Sequence, residues 1–443
     1  MDNIKRKNNY FDGMQLTRDH KLVFIFVMSA FFFEQFDNTN FGFVAPALIK
    51  SWGVTMDVIP QITSWYFIGM MLGALLGGLV SDKIGRKKTF LGSVLLFSLG
   101  SFLNALPGTS LNFFIIARAL TGFGVFAMMV VSITYISEMA PAEVRGKWQG
   151  LVAMCGLFSV PLVGLISRFV IPLSPDAWRI LFYIGALGII PFIIGIFTMK
   201  ESPRWLVSKG RIAEAEKIVE EISKQKIDLS DLTIAPKESV WENIIELFKL
   251  QYIKRTVMLL IALTCITIAM MSMSNWTPTL LTAKGFSLTA ALSITTIGIF
   301  APPFGGLLNT LTSDKGGRKI PLIIYAFSTA VFILLFANLT TNSILIIGIV
   351  YFAQGGLMTC LCNALYSYQA ESYPTRMRNT ATGGINAVAR FFTAVFQPLI
   401  PLVFTAYKFS GVFTLFAGLM FVTGLSILLL GTKTGGRSLE DIT

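Results

Sequence analysis

A chain of 443 residues, 54% hydrophobic and 14% charged, with a mean hydropathy of +0.68, lies far from soluble usage, where charged residues make up about 25%. Such a composition reads as a polytopic membrane protein. The net charge of +12 would fit nucleic-acid binding only if the basic residues were gathered on a soluble domain, and the sequence has none.

Residues 1–21 are polar and are expected in the cytoplasm. The first apolar run is too long for a signal-peptide core, so no cleavable signal is expected and the first span itself targets the chain. A spanning helix needs about 20 mostly apolar residues. Twelve such runs follow, near 22–48, 58–81, 89–106, 111–137, 148–171, 178–199, 255–279, 289–312, 320–339, 343–369, 381–406 and 411–431. They fall into an N-terminal bundle, 22–199, and a C-terminal bundle, 254–431. Between them lies a cytoplasmic loop, 200–253, and residues 432–443 form a cytoplasmic tail. In the loop, "RIAEAEKIVEEISK" and "SVWENIIELFKL" carry apolar residues at helical spacing, which predicts two amphipathic helices at the membrane surface. The glycines of "GMMLGALLGGL" in span two predict close helix approach.

Basic residues resist translocation. With both termini inside, 29 of the 36 Lys and Arg fall on the inner side; Lys50, Arg179, Lys284 and Lys408 are outside, and Arg118, Arg168 and Arg390 lie within spans. The protein is therefore expected in the plasma membrane with both ends cytoplasmic, and the net charge is a product of topology. Cys155, Cys265, Cys360 and Cys362 all lie within predicted spans, so neither a disulfide nor a metal site is expected. The single histidine, His20, is read as a solvated flank of span one.

The chain repeats itself. "SDKIGRK", Ser81 to Lys87, returns as "SDKGGRK", Ser313 to Lys319. "EMAPAEVR", Glu138 to Arg145, returns as "ESYPTRMR", Glu371 to Arg378, with Glu, Pro and Arg matched. Repeated halves are a hallmark of transporter construction. "GLVSDKIGRK", Gly78 to Lys87, resembles the signature loop of the major facilitator superfamily. "KESPRWLVSKGR" and "TKTGGRSLED" are similar to segments of sugar porters and organic-ion carriers. "FDNTNFGFVAPALIKSWG" looks more like span one of aromatic-acid/proton symporters and nicotinate-type permeases. There the usual acidic, glycine, aromatic, acidic pattern appears as Glu34, Gln35, Phe36, Asp37. "SYPTRMRNTATGGINAVARFFTAVFQPLIPL" is similar to span eleven of organic-anion carriers. The resemblance implies an all-α fold of twelve helices in two pseudo-symmetric six-helix halves. It also implies that Asp82, Arg86, Glu138 and Arg145, with Asp314, Arg318, Glu371 and Arg378, form inner-face ion pairs that act as gates.

Charges inside the membrane are the strongest pointers to chemistry, since each costs roughly 2.5–3.5 kcal/mol even on insertion scales. Glu34 and Asp37 are three apart and share a helix face. Arg118 of span four lies at a compatible depth, and an opposite charge within reach favours both ionised forms. Arginine keeps its proton, whereas a carboxylate can take one up when the arginine withdraws. Asp37, Arg118 and Glu34 are thus the expected proton-coupling set; a static structural pair is the alternative. The same pairing is implied by resemblance to sugar porters.

Arg390, near the middle of span eleven, has no acid within the C-terminal spans. Its planar fork suits a carboxylate brought in from outside; a backbone carbonyl or Asp37 is the alternative partner. Resemblance to organic-anion carriers implies substrate binding there. Tyr351, Gln354, Asn363, Tyr366 and Trp276 are candidates to complete the site, and Met270, Met271 and Met273 are read as packing. At the repeat offset Arg118 corresponds to Tyr351, and Arg390 to Leu157, so the proton pair and the anion site are expected in different halves. The stretches "LVAMCGLFSVPLVGLIS" of span five and "LTCITIAMMSMSNW" of span seven carry a single amide, Asn275, which argues against a sugar.

The sequence therefore predicts a monomeric, proton-coupled importer of a small organic carboxylate, aromatic or otherwise, with no cofactor beyond the proton gradient. Rival readings are a proton antiporter exporting a drug or metabolite, a sugar/proton symporter and a non-transporting sensor. No enzyme is expected, as no nucleophile and base, metal cluster or phosphate loop is evident.

Overall fold

The computed structural model describes residues 11, 17–108, 110–224, 227–229, 240–312 and 318–431. Among them the regular structure is helical. The N-terminal half comprises α1 (Arg18–Trp52), α2 (Val58–Ile84), α3 (Arg86–Ala105), α4 (Leu111–Met139), α5 (Ala142–Val170), α6 (Arg179–Ala186) and α7 (Ile189–Thr198). The loop carries α8 (Pro203–Ser208), α9 (Ile212–Ser223) and α10 (Val240–Leu247). The C-terminal half comprises α11 (Ile253–Ala283), α12 (Leu288–Ile299), α13 (Ala301–Thr312), α14 (Lys319–Asn338), α15 (Ile344–Glu371), α16 (Thr375–Phe396) and α17 (Leu399–Leu430).

Among the described residues, eleven segments are long and apolar enough to cross a membrane. The predicted eleventh span, 381–406, is the exception by composition, because α16 carries Arg376, Arg378 and Arg390. It is also interrupted after Gln397, where Pro398 starts the next helix. The backbone then leaves helical geometry at Lys408 (φ 55°) inside α17. That break separates the end of span eleven from span twelve. Spans six and eight are each built from two shorter helices, α6 with α7 and α12 with α13.

The repeat extends to the backbone. Helices α4 and α15 both begin after a serine whose side chain accepts from a first-turn N–H: Ser110 from Phe113 and Ser343 from Ile346. Such caps satisfy donors that a helix start leaves open. Ser110 and Ser343 stand 233 residues apart, the same offset as Glu138 and Glu371.

The described chain packs as two compact units. The first contains residues 1–38, 72–159 and 182–237; the second contains 39–71, 160–181 and 238–443. Helices α1, α2 and α5 therefore each contribute to both. In the second unit, Gly42 of α1 sits so close to the Ser274 carbonyl of α11 that a Cβ would collide with it, and the Ser64 hydroxyl donates to the Ala394 carbonyl at 2.7 Å.

Without a hydrophobic driving force in lipid, helices associate by close packing over small residues. In the first unit Gly73 of α2 lies against the Phe123 carbonyl of α4, and a Cβ on Gly77 would come within 2.9 Å of the Ala127 Cα. A Cβ on Gly124 of α4 would meet the Ser93 carbonyl of α3 at 2.8 Å. This contact brings α3 and α4 together beside the acid of α1. In the loop, α9 buries Ala215, Val219 and Ile222, the stripe its spacing predicts.

Candidate functional site

Asp37 lies mid-way along α1 and is fully buried, with Arg118 of α4 1% exposed. The Arg118 guanidinium donates from Nη1 to Asp37 Oδ2 at 3.3 Å. The hydroxyl of Ser101, from α3, lies 2.6 Å from Oδ1 of the same carboxylate and 2.9 Å from the Phe182 carbonyl. The Phe182 ring lies 5.6 Å from the guanidinium carbon. Arginine and carboxylate answer each other's charge, which is what makes two ions tolerable in so apolar a bundle. Glu34, one turn earlier on α1, is buried as well. Four elements thus converge on one carboxylate: α1, α3, α4 and α6.

Where α2 and α4 end, Arg86 engages Glu138 through two contacts, Nε to Oε2 and Nη2 to Oε1, both at 3.1 Å. Its Nη1 donates to Asp82 at 2.8 Å. The start of α3 is closed by another acid, Glu201, whose Oε1 accepts from the backbone N–H groups of Arg86 at 2.8 Å and Lys87 at 3.0 Å. A carboxylate at a helix N-terminus gains from the dipole and the open donors. Gly85 makes this approach feasible, since it adopts φ +107° and a Cβ there would overlap the Glu201 carboxylate. The Trp205 indole donates to the Asp82 carbonyl at 3.0 Å.

The repeat-related residues of the second unit make the corresponding pair: Arg318 Nη2 lies 2.7 Å from Glu371 Oε1. Asp314 lies outside the described residues. Arg145 and Arg378 fall in α5 and α16, and their side chains lie outside the description.

The second unit holds a cavity of about 150 Å³, a volume that elsewhere accepts a molecule the size of benzene. Its apolar wall includes Phe43, Val160, Met270, Met273 and Met358, and its polar groups include Thr39, Ser274, Thr295, Tyr351 and Gln354. Gln354 is 1% exposed, and neither its amide nitrogen nor its oxygen has a hydrogen-bond partner among the described residues. A buried amide left unmade costs about 1–3 kcal/mol. Of the predicted site residues, Tyr351 and Gln354 thus line this wall, together with Met270 and Met273, which the sequence assigns to packing.

Other candidates are placed elsewhere. Trp276 is fully buried, and its indole donates to the Gln397 side chain at 2.8 Å, so it is a packing and hydrogen-bonding residue rather than a wall of this cavity. Asn363 and Tyr366 are exposed, and the Tyr366 hydroxyl lies 3.0 Å from Asn386 Oδ1. Arg390, 8% exposed, is close enough to Cys362 and Tyr366 to act on both electrostatically but is not part of the cavity wall. On α15, Gln354, Met358, Cys362 and Tyr366 recur every fourth position, so they form one stripe. That stripe links the cavity to the neighbourhood of Arg390. Among the described residues no cluster could hold a metal ion.

The family model described as sugar (and other) transporter matches residues 22–443. The chain belongs to this family. It is a member of the major facilitator superfamily and an integral membrane transporter, not an enzyme. The putative metabolite transport protein YyaJ of Bacillus subtilis (strain 168) is 32% identical over 97% of this chain and 96% of its own. The niacin transporter NiaP of Acinetobacter baylyi (strain ATCC 33305 / BD413 / ADP1) is 28% identical over the full length of both. The 4-hydroxybenzoate transporter PcaK of the same strain is 28% identical over 92% of this chain and 89% of its own. A crystal structure of a D-xylose-proton symporter superposes with a TM-score of 0.75 at 19% identity, covering 94% of this chain and 99% of that one; at that identity it establishes the fold.

Sequence reasoning did not single out Ser101, Glu201 or Met358, and it gave Met270 and Met273 a packing role only. Glu201 follows span six in "KESPRW", and its position beside a helix start was the one signal available for it.

Proposed function

We propose that this transporter imports a small organic anion, an aromatic or other monocarboxylate, together with at least one proton, by alternating access. The observation that carries the reading is the fully buried Asp37 held between Arg118 and Ser101. In such a site a carboxylate can exchange an arginine for a proton without being exposed to lipid. Protonation then biases the alternating states, because each binds the proton with a different affinity.

Substrate class follows from the cavity, whose apolar wall and volume suit a ring, and from Gln354, whose unmade bonds await a polar guest. Arg390, reached along the α15 stripe, is the cation proposed to receive the carboxylate. The relatives named for niacin and 4-hydroxybenzoate are consistent with this class. Glu34 is proposed to support coupling. The inner networks of Asp82, Arg86 and Glu138, and of Arg318 and Glu371, are proposed as gates, with Arg145, Asp314 and Arg378 completing them. Both termini are cytoplasmic in this proposal, the chain acts as a monomer and the proton gradient is the energy source.

The test uses proteoliposomes with an imposed inward proton gradient, and labelled niacin, 4-hydroxybenzoate and D-xylose as probes. Gradient-driven uptake of an acid is expected. Asp37→Asn is expected to abolish uphill uptake while leaving exchange between the two sides. Uphill uptake of D-xylose with neither acid transported would replace the reading with sugar symport.

A further inference from the structure

We propose that Ser101 positions the transported proton on Asp37: its hydroxyl acts as a two-way hydrogen-bond switch between the carboxyl Oδ1 and the backbone carbonyl of Phe182. This inference rests on the reading of Asp37 as the proton site.

A serine hydroxyl carries one hydrogen and two acceptor lone pairs. Ser101 Oγ lies 2.6 Å from Asp37 Oδ1 and 2.9 Å from the Phe182 carbonyl, so it cannot donate to both at once. When Asp37 is ionised, Ser101 donates to Oδ1, and 2.6 Å falls in the range of a charge-assisted O–H···O⁻ bond. When a proton from water binds Oδ1, the new O–H donates to Ser101 Oγ, and the serine hydrogen rotates to the Phe182 carbonyl. One O–H bond forms on the carboxyl as one breaks in the hydronium ion that delivers the proton and leaves as water, no bond within the protein breaks, and the charge of the site rises by one. Each protonation state leaves the buried acid with a made hydrogen bond, where an unmade one would be costly.

The geometry also names the oxygen. Oδ2 already accepts from Arg118 Nη1 at 3.3 Å, which leaves Oδ1 as the oxygen whose neighbour can turn from donor to acceptor. Oδ1 faces a group that can accept. The charged residues of the site are Arg118 on α4 and, one turn back on α1, Glu34; α3 and α6 bring the Ser101 hydroxyl, the Phe182 carbonyl and Gly185. Gly185 keeps the switch compact, since a Cβ there would lie 2.6 Å from Ser101 Oγ and 2.7 Å from Asp37 Oδ1. Of the α3 serines, Ser93 gives its hydrogen to a carbonyl of its own helix, Thr89, at 2.8 Å, whereas Ser101 turns away from its helix to two partners on other elements.

The experiment is infrared difference spectroscopy of the purified full-length protein in lipid, titrated with acid. It needs no substrate, because the probe is the proton. The carbonyl-stretch band of protonated Asp37 is identified as the band lost in Asp37→Asn. In Ser101→Ala that band is expected to move to higher wavenumber, because the acid O–H has lost its acceptor. In Ser101→Thr, which keeps the hydroxyl, it is expected to return to the wild-type position. If Ser101→Ala does not yield folded protein, Ser101→Cys, with a weaker sulfur acceptor, is expected to give the same displacement in smaller measure. A band unmoved in the Ala or Cys variant overturns the role of Ser101 and leaves Asp37 as the proton site. If no protonated-carboxyl band depends on Asp37 at any pH, the proton-site reading itself falls and the switch with it.

Discussion

Asp37 and Gln354 are both polar side chains buried to 1% or less in apolar helices, and they are treated in opposite ways. The aspartate is met by a guanidinium and a hydroxyl brought from two other helices. The glutamine is left with both amide ends unmatched on the wall of a cavity. A buried polar group normally has its partner inside the protein. Where the partner is internal, the site is complete without a guest. Where it is missing, the polar capacity stays in reserve for a guest. Coupling and recognition would then be separated by how their hydrogen bonds are supplied as well as by where they lie.

The contrast is broken most directly at Arg118. Arg118→Ala leaves Asp37 buried without its cation, and loss of one member of a buried pair costs about 3–5 kcal/mol. Thermal unfolding in detergent is expected to show that loss, with the double variant Arg118→Ala/Asp37→Asn recovering part of it. No recovery would mean that the aspartate is not the group left stranded.

Gln354→Leu should act in the other direction on stability. It removes an amide whose unmet bonds cost about 1–3 kcal/mol, so the melting temperature is expected to rise or hold while uptake of the carboxylate falls about tenfold, equivalent to about 1.4 kcal/mol. A clear loss of stability would show that Gln354 is already satisfied and would remove the contrast.

The two Arg–Glu networks give a finer comparison between the halves. Among the described residues, Arg86 makes a double contact with Glu138 and a further one with Asp82, and its side chain is 11% exposed; Arg318 contacts Glu371 and is 22% exposed. Hydrogen bonds to charged groups contribute about 1.5–3 kcal/mol when buried, and exposed pairs far less. A double-mutant cycle for Arg86 and Glu138 is expected to give roughly twice the coupling of the cycle for Arg318 and Glu371. Equal couplings would mean that the duplicated ion pairs are equivalent.

The smallest expected effect lies in the loop, where Lys200 Nζ is 2.7 Å from Glu221 Oε2. The hydrogen bond from Lys200 holds the Glu221 carboxyl below its ordinary range. A lowered carboxylate pKa contributes stability above the ordinary value and loses it as pH falls through the lowered one. The pair is largely exposed, so solvent screening holds its contribution to about 0.5 kcal/mol or less. Glu221→Gln should therefore differ from wild type by at most a degree or two at neutral pH and not at all in acid.

Much of the architecture could be read because it is written twice. The paired "SDKIGRK" and "SDKGGRK" loops locate corresponding ends of the halves, and an offset within one residue of theirs carries the serine caps and the Arg–Glu pairs. Asp37 and Arg118 were legible because an ion in an apolar run demands an explanation. Ser101 was not. A serine in a spanning helix can bond to a carbonyl one turn back on its own helix, as Ser93 does, and composition cannot distinguish that from one recruited by another helix. The cavity wall was only partly legible, since α15 is apolar on most sides and offers no strong periodicity to say that Gln354 and Met358 face inward while Asn363 does not. Span eleven, expected as one helix, is broken because Pro398 cannot supply the N–H that would continue it.

One carboxylate, Glu201, receives the first amides of the third span while belonging to the stretch that runs into the loop helices. Tension on residues 203–224 would be delivered to the start of α3 through that side chain and through the Trp205 indole on the Asp82 carbonyl, a handle on the N-terminal half that needs no access to the substrate.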